Sequence, residues 1–125
     1  MYYKFARIIL MFEPYEHDIA RNIINEIEKR GLNVTASQVK RASSSSGKIF
    51  IIIWMDMVLT YRIKLASKGW LIQPLIAISQ HDYRPLDAKE KKAIKFEYNY
   101  FKDELEIADE IYRISKAFKK YYYGR

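Results

Sequence analysis

The sequence predicts an α+β protein: a ferredoxin-like βαββαβ sandwich, an antiparallel sheet with two helices on one face, followed by a C-terminal helical extension. Three observations lead there. Short, mostly apolar segments bounded by turn residues occur at Ile8–Phe12, Ile49–Met55 and Trp70–Ser79. Segments that read as helices separate them, and beyond Asp87 the apolar spacing becomes helical to the end of the chain. At 125 residues, one core is the expectation, with residues 1–80 as the sandwich and 81–125 as a helical arm of the same domain.

The elements follow in order. Tyr3–Phe12 reads as a buried strand, apolar on both alternating faces and ended by Glu13-Pro14. A helix follows, with Pro14 in its first turn and Ile19, Ala20, Ile23, Ile24 and Ile27 at helical spacing. Early acids, late cations and the capping Gly31 complete it. Asn33–Arg41 reads as a second strand, Ser43–Gly47 as a serine-rich loop and Lys48–Trp54 as a third strand.

Between Asp56 and Lys68 two periods compete. Leu59, Tyr61, Ile63 and Leu65 alternate like a strand, while Thr60, Lys64, Ser67 and Lys68 make one polar helical stripe. Asp56 as N-cap and Lys68-Gly69 as a C-terminus favour a helix, which closes the βαββαβ order with Trp70–Ser79 as the last strand. Pro74 there argues for an edge or a bulge. Since several strands are apolar on both faces, the sheet face away from the two helices needs a second cover, either the C-terminal arm or a second subunit in a homodimer. Asp87 and Glu90 form a capping-box pattern, Asp103 and Glu106 repeat it, and two helices broken near Asn99–Asp103 are expected.

Composition narrows the function classes. The longest apolar run, Ile49–Met55, is far short of the ~20 residues a membrane helix needs, and Ile8–Phe12 is too short for a signal-peptide core, so a cytoplasmic protein is expected. With no cysteine, disulfides, thiolate metal sites and cysteine nucleophiles are excluded. That avoidance, with abundant Ile, Lys, Glu and Tyr, fits a thermophilic origin.

The net charge of +7 is unevenly placed. Residues 35–80 hold Lys40, Arg41, Lys48, Arg62, Lys64 and Lys68 against the single Asp56, and residues 112–125 hold five cations and no acid. Such regions favour polyanions, with solvated faces as the plain alternative.

Four patterns bear on chemistry. Lys40–Lys48 superficially resembles the phosphate loop GxxxxGK[ST]. Ala42 replaces its first glycine and Ile49 its hydroxyl, and a strand follows where a helix must begin, so nucleotide hydrolysis is not expected. Tyr98-Asn-Tyr-Phe-Lys102 matches the YxxxK motif of rolling-circle replication initiators and relaxases of the HUH class. Their paired metal-binding histidines are absent, which leaves a nickase using Tyr98 as a remote alternative. The strand order resembles that of RNA-recognition motifs, yet Lys48–Trp54 supplies only Phe50 and Trp54 as stacking aromatics, and Ile8–Phe12 supplies isoleucine and leucine. That points to an interface rather than a base platform. Tyr121–Arg125, after Lys119-Lys120, is an aromatic and basic tail of the kind that stacks on single-stranded bases.

The leading expectation is a small non-enzymatic nucleic-acid-binding protein, DNA or RNA, homodimeric, with Lys40, Arg41, Lys48, Arg113, Lys116, Lys119 and Lys120 on phosphates. No catalytic residue, metal or cofactor is expected. The rival is a protein-interaction module, an inhibitor or adaptor, that uses the tyrosine-rich arm and the apolar sheet face.

Overall fold

In the computed structural model, residues 14–41, 49–56, 58–66, 68–79 and 82–124 are described. The strand expected at Tyr3–Phe12 and the loop expected at Ser43–Gly47 lie outside them. Helix α1 (Pro14–Lys29) leads into five strands: β1 (Val34–Arg41), β2 (Ile49–Met55), β3 (Leu59–Ala66), β4 (Gly69–Ala77) and β5 (Tyr83–Pro85). Helices α2 (Ala88–Ala93) and α3 (Glu104–Tyr123) follow. The strands form one antiparallel sheet in the order β1-β2-β3-β4-β5, a meander in which every neighbour in sequence is a neighbour in space.

This order overturns the ferredoxin-like expectation, which requires a helix between the strands now called β2 and β4. Asp56–Lys68 contains β3 instead. Its alternation is what the fold uses: Leu59, Tyr61 and Ile63 are buried, while Arg62 and Lys64 are only half-buried. Asp56 and Gly69 punctuate two hairpins rather than two helix ends, which Asp and Gly do equally well.

The register defines two faces. Val39, Ile51, Ile63 and Ile72 stand side by side across four strands, as do Ser37, Ile53, Tyr61 and Pro74, and this face carries the core. It meets Ala20, Ile23, Ile24 and Ile27 of α1, and Ile107, Ala108, Ile111, Ile114 and Phe118 of α3, in one hydrophobic cluster. The C-terminal arm therefore covers the same face as α1, not the second face as one of the two expected covers required. Burying these side chains at about 25 cal/mol per Å² of apolar surface is the main stabilising term.

Tyr61 ties the layers together. Its hydroxyl lies 2.6 Å from Ser115 Oγ and donates to the Ile111 carbonyl at 3.3 Å, both on α3. Complete burial pushes this phenol well above its ordinary range, so it stays protonated. Tyr61→Phe is expected to cost only about 1 kcal/mol, because Ser115 can turn its hydroxyl to the carbonyl four residues back. Tyr61→Ala, which opens a cavity, is expected to cost about 4 kcal/mol in denaturant titration.

Pro74 satisfies its constraint locally. The Trp70 amide and carbonyl bond Phe101 on the outer side of β4, whereas the Ala77 amide bonds Val58 on the β3 side. By alternation the Pro74 backbone nitrogen points to the outer edge of β4, between the bridge at Trp70 and the β5 pairing that begins at Leu75, where no ladder donor is needed.

The capping box at α2 forms as expected: Asp87 accepts from the Glu90 amide, and Glu90 accepts from the Asp87 amide, both at 2.8 Å. Glu90 is also clamped by Arg84 through two bonds of 2.8 and 2.9 Å. The Arg84 guanidinium, helped by the Asp87 amide, holds the buried Glu90 carboxyl below its usual range in spite of desolvation. A depressed folded value stabilises the protein above the unfolded pKa of about 4.3, and that stability is lost as pH falls through the folded value. Glu90→Gln should cost about 2 kcal/mol at pH 7 and flatten the acid limb of a melting-temperature profile below about pH 5.

α2 stops sooner than the spacing of Ile94, Tyr98 and Phe101 predicts. Lys95 takes a left-handed conformation (φ 52°), and the Lys95 and Phe96 amides return to the Lys92 and Lys91 carbonyls, a Schellman ending. Irregular backbone then runs to Asp103, the N-cap of α3.

Candidate functional site

The second face of the sheet has a different chemistry. Its register rows are Lys40, Phe50, Lys64 and Leu71; Gln38, Ile52, Arg62 and Gln73; and Ala36, Trp54, Thr60 and Leu75. Phe50, Ile52, Trp54, Leu71 and Leu75 are half-buried and stand outside the core cluster, and no described helix belongs to this side. The charged residues in these rows are Lys40, Arg62 and Lys64, all cations, with no acid among them.

One end of the face is closed. Trp54 Nε1 donates to the Tyr83 hydroxyl at 2.6 Å, and Thr60, between Trp54 and Leu75 in the ladder, is buried. The other end is a groove of about 300 Å³ lined by Phe50, Arg62, Lys64, Leu71, Gln73 and Tyr98. The Arg62 guanidinium lies over the Phe50 ring, 5.5 Å from its centroid, and donates from Nε at 2.9 Å and from Nη2 to Gln73 Oε1. These two bonds fix the Gln73 amide, so its NH₂ is the group left to donate elsewhere.

The rim is supplied by the irregular segment after α2. Phe101 and Trp70 exchange backbone bonds of 2.8 Å in both directions, Lys68 sits over the Tyr100 ring at 5.8 Å, and Tyr98 packs edge-on against Phe96 at 4.9 Å. Tyr98 is 61% exposed at the mouth of the groove.

Of the seven residues expected to contact phosphates, the six that are described lie on two different layers. Lys48 lies outside the described residues, and Lys40 and Arg41 occupy the end of β1, with Lys40 opposite Phe50 in the ladder. Lys116, Lys119 and Lys120 are exposed on α3, in the helical layer on the opposite side of the sheet. Lys116 lies 5.9 Å from the Tyr112 ring centroid. Arg113 is engaged within the protein: it donates from Nε and Nη2 to Glu110 at 2.7 and 2.9 Å, and from Nη1 to the Ile94 carbonyl at 2.7 Å. These bonds pin α2 to α3 and occupy three of the five guanidinium donors.

Tyr98 and Lys102 do not share a helical turn, because α2 ends at Ala93 and α3 begins at Glu104, so the local geometry of the nickase motif is not formed. Among the described residues no group of three His, Cys, Asp or Glu side chains is placed to hold a metal, and no helix is long and apolar enough to cross a membrane.

Arg62, Lys64, Gln73 and Tyr98 were missed as partners of Phe50. The signal was the polar set between Leu59 and Leu65, which lies on one face only if that segment is a strand. No family model matches the chain, and no match was found among curated proteins or solved structures.

Proposed function

We propose that the protein binds nucleic acid through the open face of its sheet, without catalysing a reaction on it. The observation that carries this reading is the convergence of Arg62, Lys64 and the Lys40 position with Phe50 and the rim residue Tyr98 on one face whose three described register rows hold no acid. Cations beside aromatic rings give phosphates a counter-charge and bases a stacking surface at the same time. The cations of α3 belong to a separate surface and supply general attraction at a distance. Fluorescence-anisotropy titration with labelled DNA and RNA at two salt concentrations tests the reading. Affinity that falls steeply with salt supports it, and no binding at low salt defeats it.

The rival, a protein-interaction module, draws on a different observation. Tyr121, Tyr122 and Tyr123 are each about half exposed at the end of α3, and Tyr122 stacks on Phe118 at 4.8 Å. Retention of one cellular protein on a column, lost on changing these tyrosines to serine and accompanied by no oligonucleotide binding, favours that module.

A further inference from the structure

We infer that the groove between Tyr98 and the Phe50–Arg62 pair receives a single unpaired nucleobase, so that the open face selects single-stranded nucleic acid over duplex. This rests on the nucleic-acid reading of that face and adds the substrate class. The groove offers the two kinds of surface a base needs. Flat π-systems come from Phe50, with the Arg62 guanidinium over it, and from Tyr98, whose exposed ring is steadied by Phe96. A directed donor comes from Gln73, whose amide oxygen is held by Arg62 and whose NH₂ is left for the acceptor edge of a base.

At about 300 Å³ the space stands at the small end of ligand sites and suits one ring system. A stacked, paired base presents only its edges to a protein, whereas a ring inserted between Tyr98 and the Phe50–Arg62 pair must first leave its stack. Lys64 lines the same groove, and the Lys40 position is its neighbour across Phe50 in the ladder, so positive charge flanks the slot where the backbone of a bound strand would pass.

Anisotropy titration of the full chain decides the matter with three probes of equal length: a single-stranded oligonucleotide, as DNA and as RNA, its duplex, and the same strand carrying abasic sites, which keeps the phosphates and removes bases. The single strand is expected to bind at least ~10-fold more tightly than the duplex, and the abasic strand to fall to about the duplex level. Tyr98→Ala, at an exposed position, should weaken single-strand binding by about 10-fold and leave duplex affinity and the salt slope unchanged. Equal affinity for all three probes would overturn the base slot and leave phosphate binding standing. Single-strand preference that is indifferent to Tyr98→Ala would overturn the assignment to this groove. No binding of any probe at low salt would remove the nucleic-acid reading itself.

Discussion

Changing Arg62 and Lys64 together to glutamate is expected to lower affinity for a single-stranded oligonucleotide by more than about 100-fold at 150 mM salt and to flatten its salt dependence. The substitution takes two central positions of the open face from +2 to −2, a swing of four charges, directly beside Phe50. The fold should survive it. Neither residue belongs to the core, and Gln73 can turn its amide to donate to a carboxylate at position 62, so a stability change within ~1 kcal/mol is expected. The matching change at Lys116, Lys119 and Lys120 removes more charge yet is expected to cost less than ~10-fold at 150 mM salt. Those residues are separated from the face by the sheet and a helix about 10 Å thick, beyond the Debye length of about 8 Å. Equal losses from the two variants would mean that the protein attracts polyanions by net charge alone.

Among the described glycines, Gly69→Ala should be the most damaging added methyl. Gly69 has φ +139°, a conformation L residues rarely adopt, and a Cβ placed there would sit 2.6 Å from the Phe101 carbonyl oxygen. That oxygen accepts the Trp70 amide bond, so the clash falls on the bridge that holds the irregular segment against β4. Strain and contact together are expected to cost about 3 kcal/mol, seen as a fall in melting temperature of about 10 °C. Because the same bridge anchors the segment bearing Tyr98, oligonucleotide affinity should fall as well, even at temperatures where the variant is folded. Gly31→Ala is the control: it also has positive φ, but its Cβ would meet nothing within 4 Å, so its cost is confined to backbone strain.

Much of the fold was legible because its signals were unambiguous. Ile23, Ile24 and Ile27 repeat at helical spacing in α1, Ala108, Ile111, Ile114 and Phe118 do so in α3, and Ile49–Met55 is too short and too β-branched for anything but a strand. The loss of the sandwich topology traces to Thr60 and Lys64. A separation of four residues keeps side chains on one face of a strand and also on one face of a helix, so these positions could not discriminate, and Asp56 and Gly69 serve hairpins as readily as helix ends. β5 was invisible because three residues carry no period, and their strand identity comes from pairing with Leu75, Ile76 and Ala77.

The site was harder to read than the fold for the same reason. The residues expected on phosphates joined Lys40 to Arg113 and Lys116, which different layers carry, and left out Arg62, which shares the face of Lys40 although both stand in the basic stretch 35–80. Charge along the sequence reports what a protein attracts, and only the register reports which cations act together. Phe50 and Trp54 were recognised as candidate stacking residues, but Tyr98 comes to the groove through the Trp70–Phe101 bridge, a contact between distant segments that no local pattern announces.

The most direct test of the open face is a backbone-amide NMR titration of the ¹⁵N-labelled protein with a short single-stranded oligonucleotide. The largest shifts are expected at Phe50, Ile52, Arg62, Lys64, Gln73 and Tyr98, with α3 little changed. Shifts concentrated at Lys116–Tyr123, with β2 and β3 silent, would contradict the assignment and move the binding surface to the helical layer.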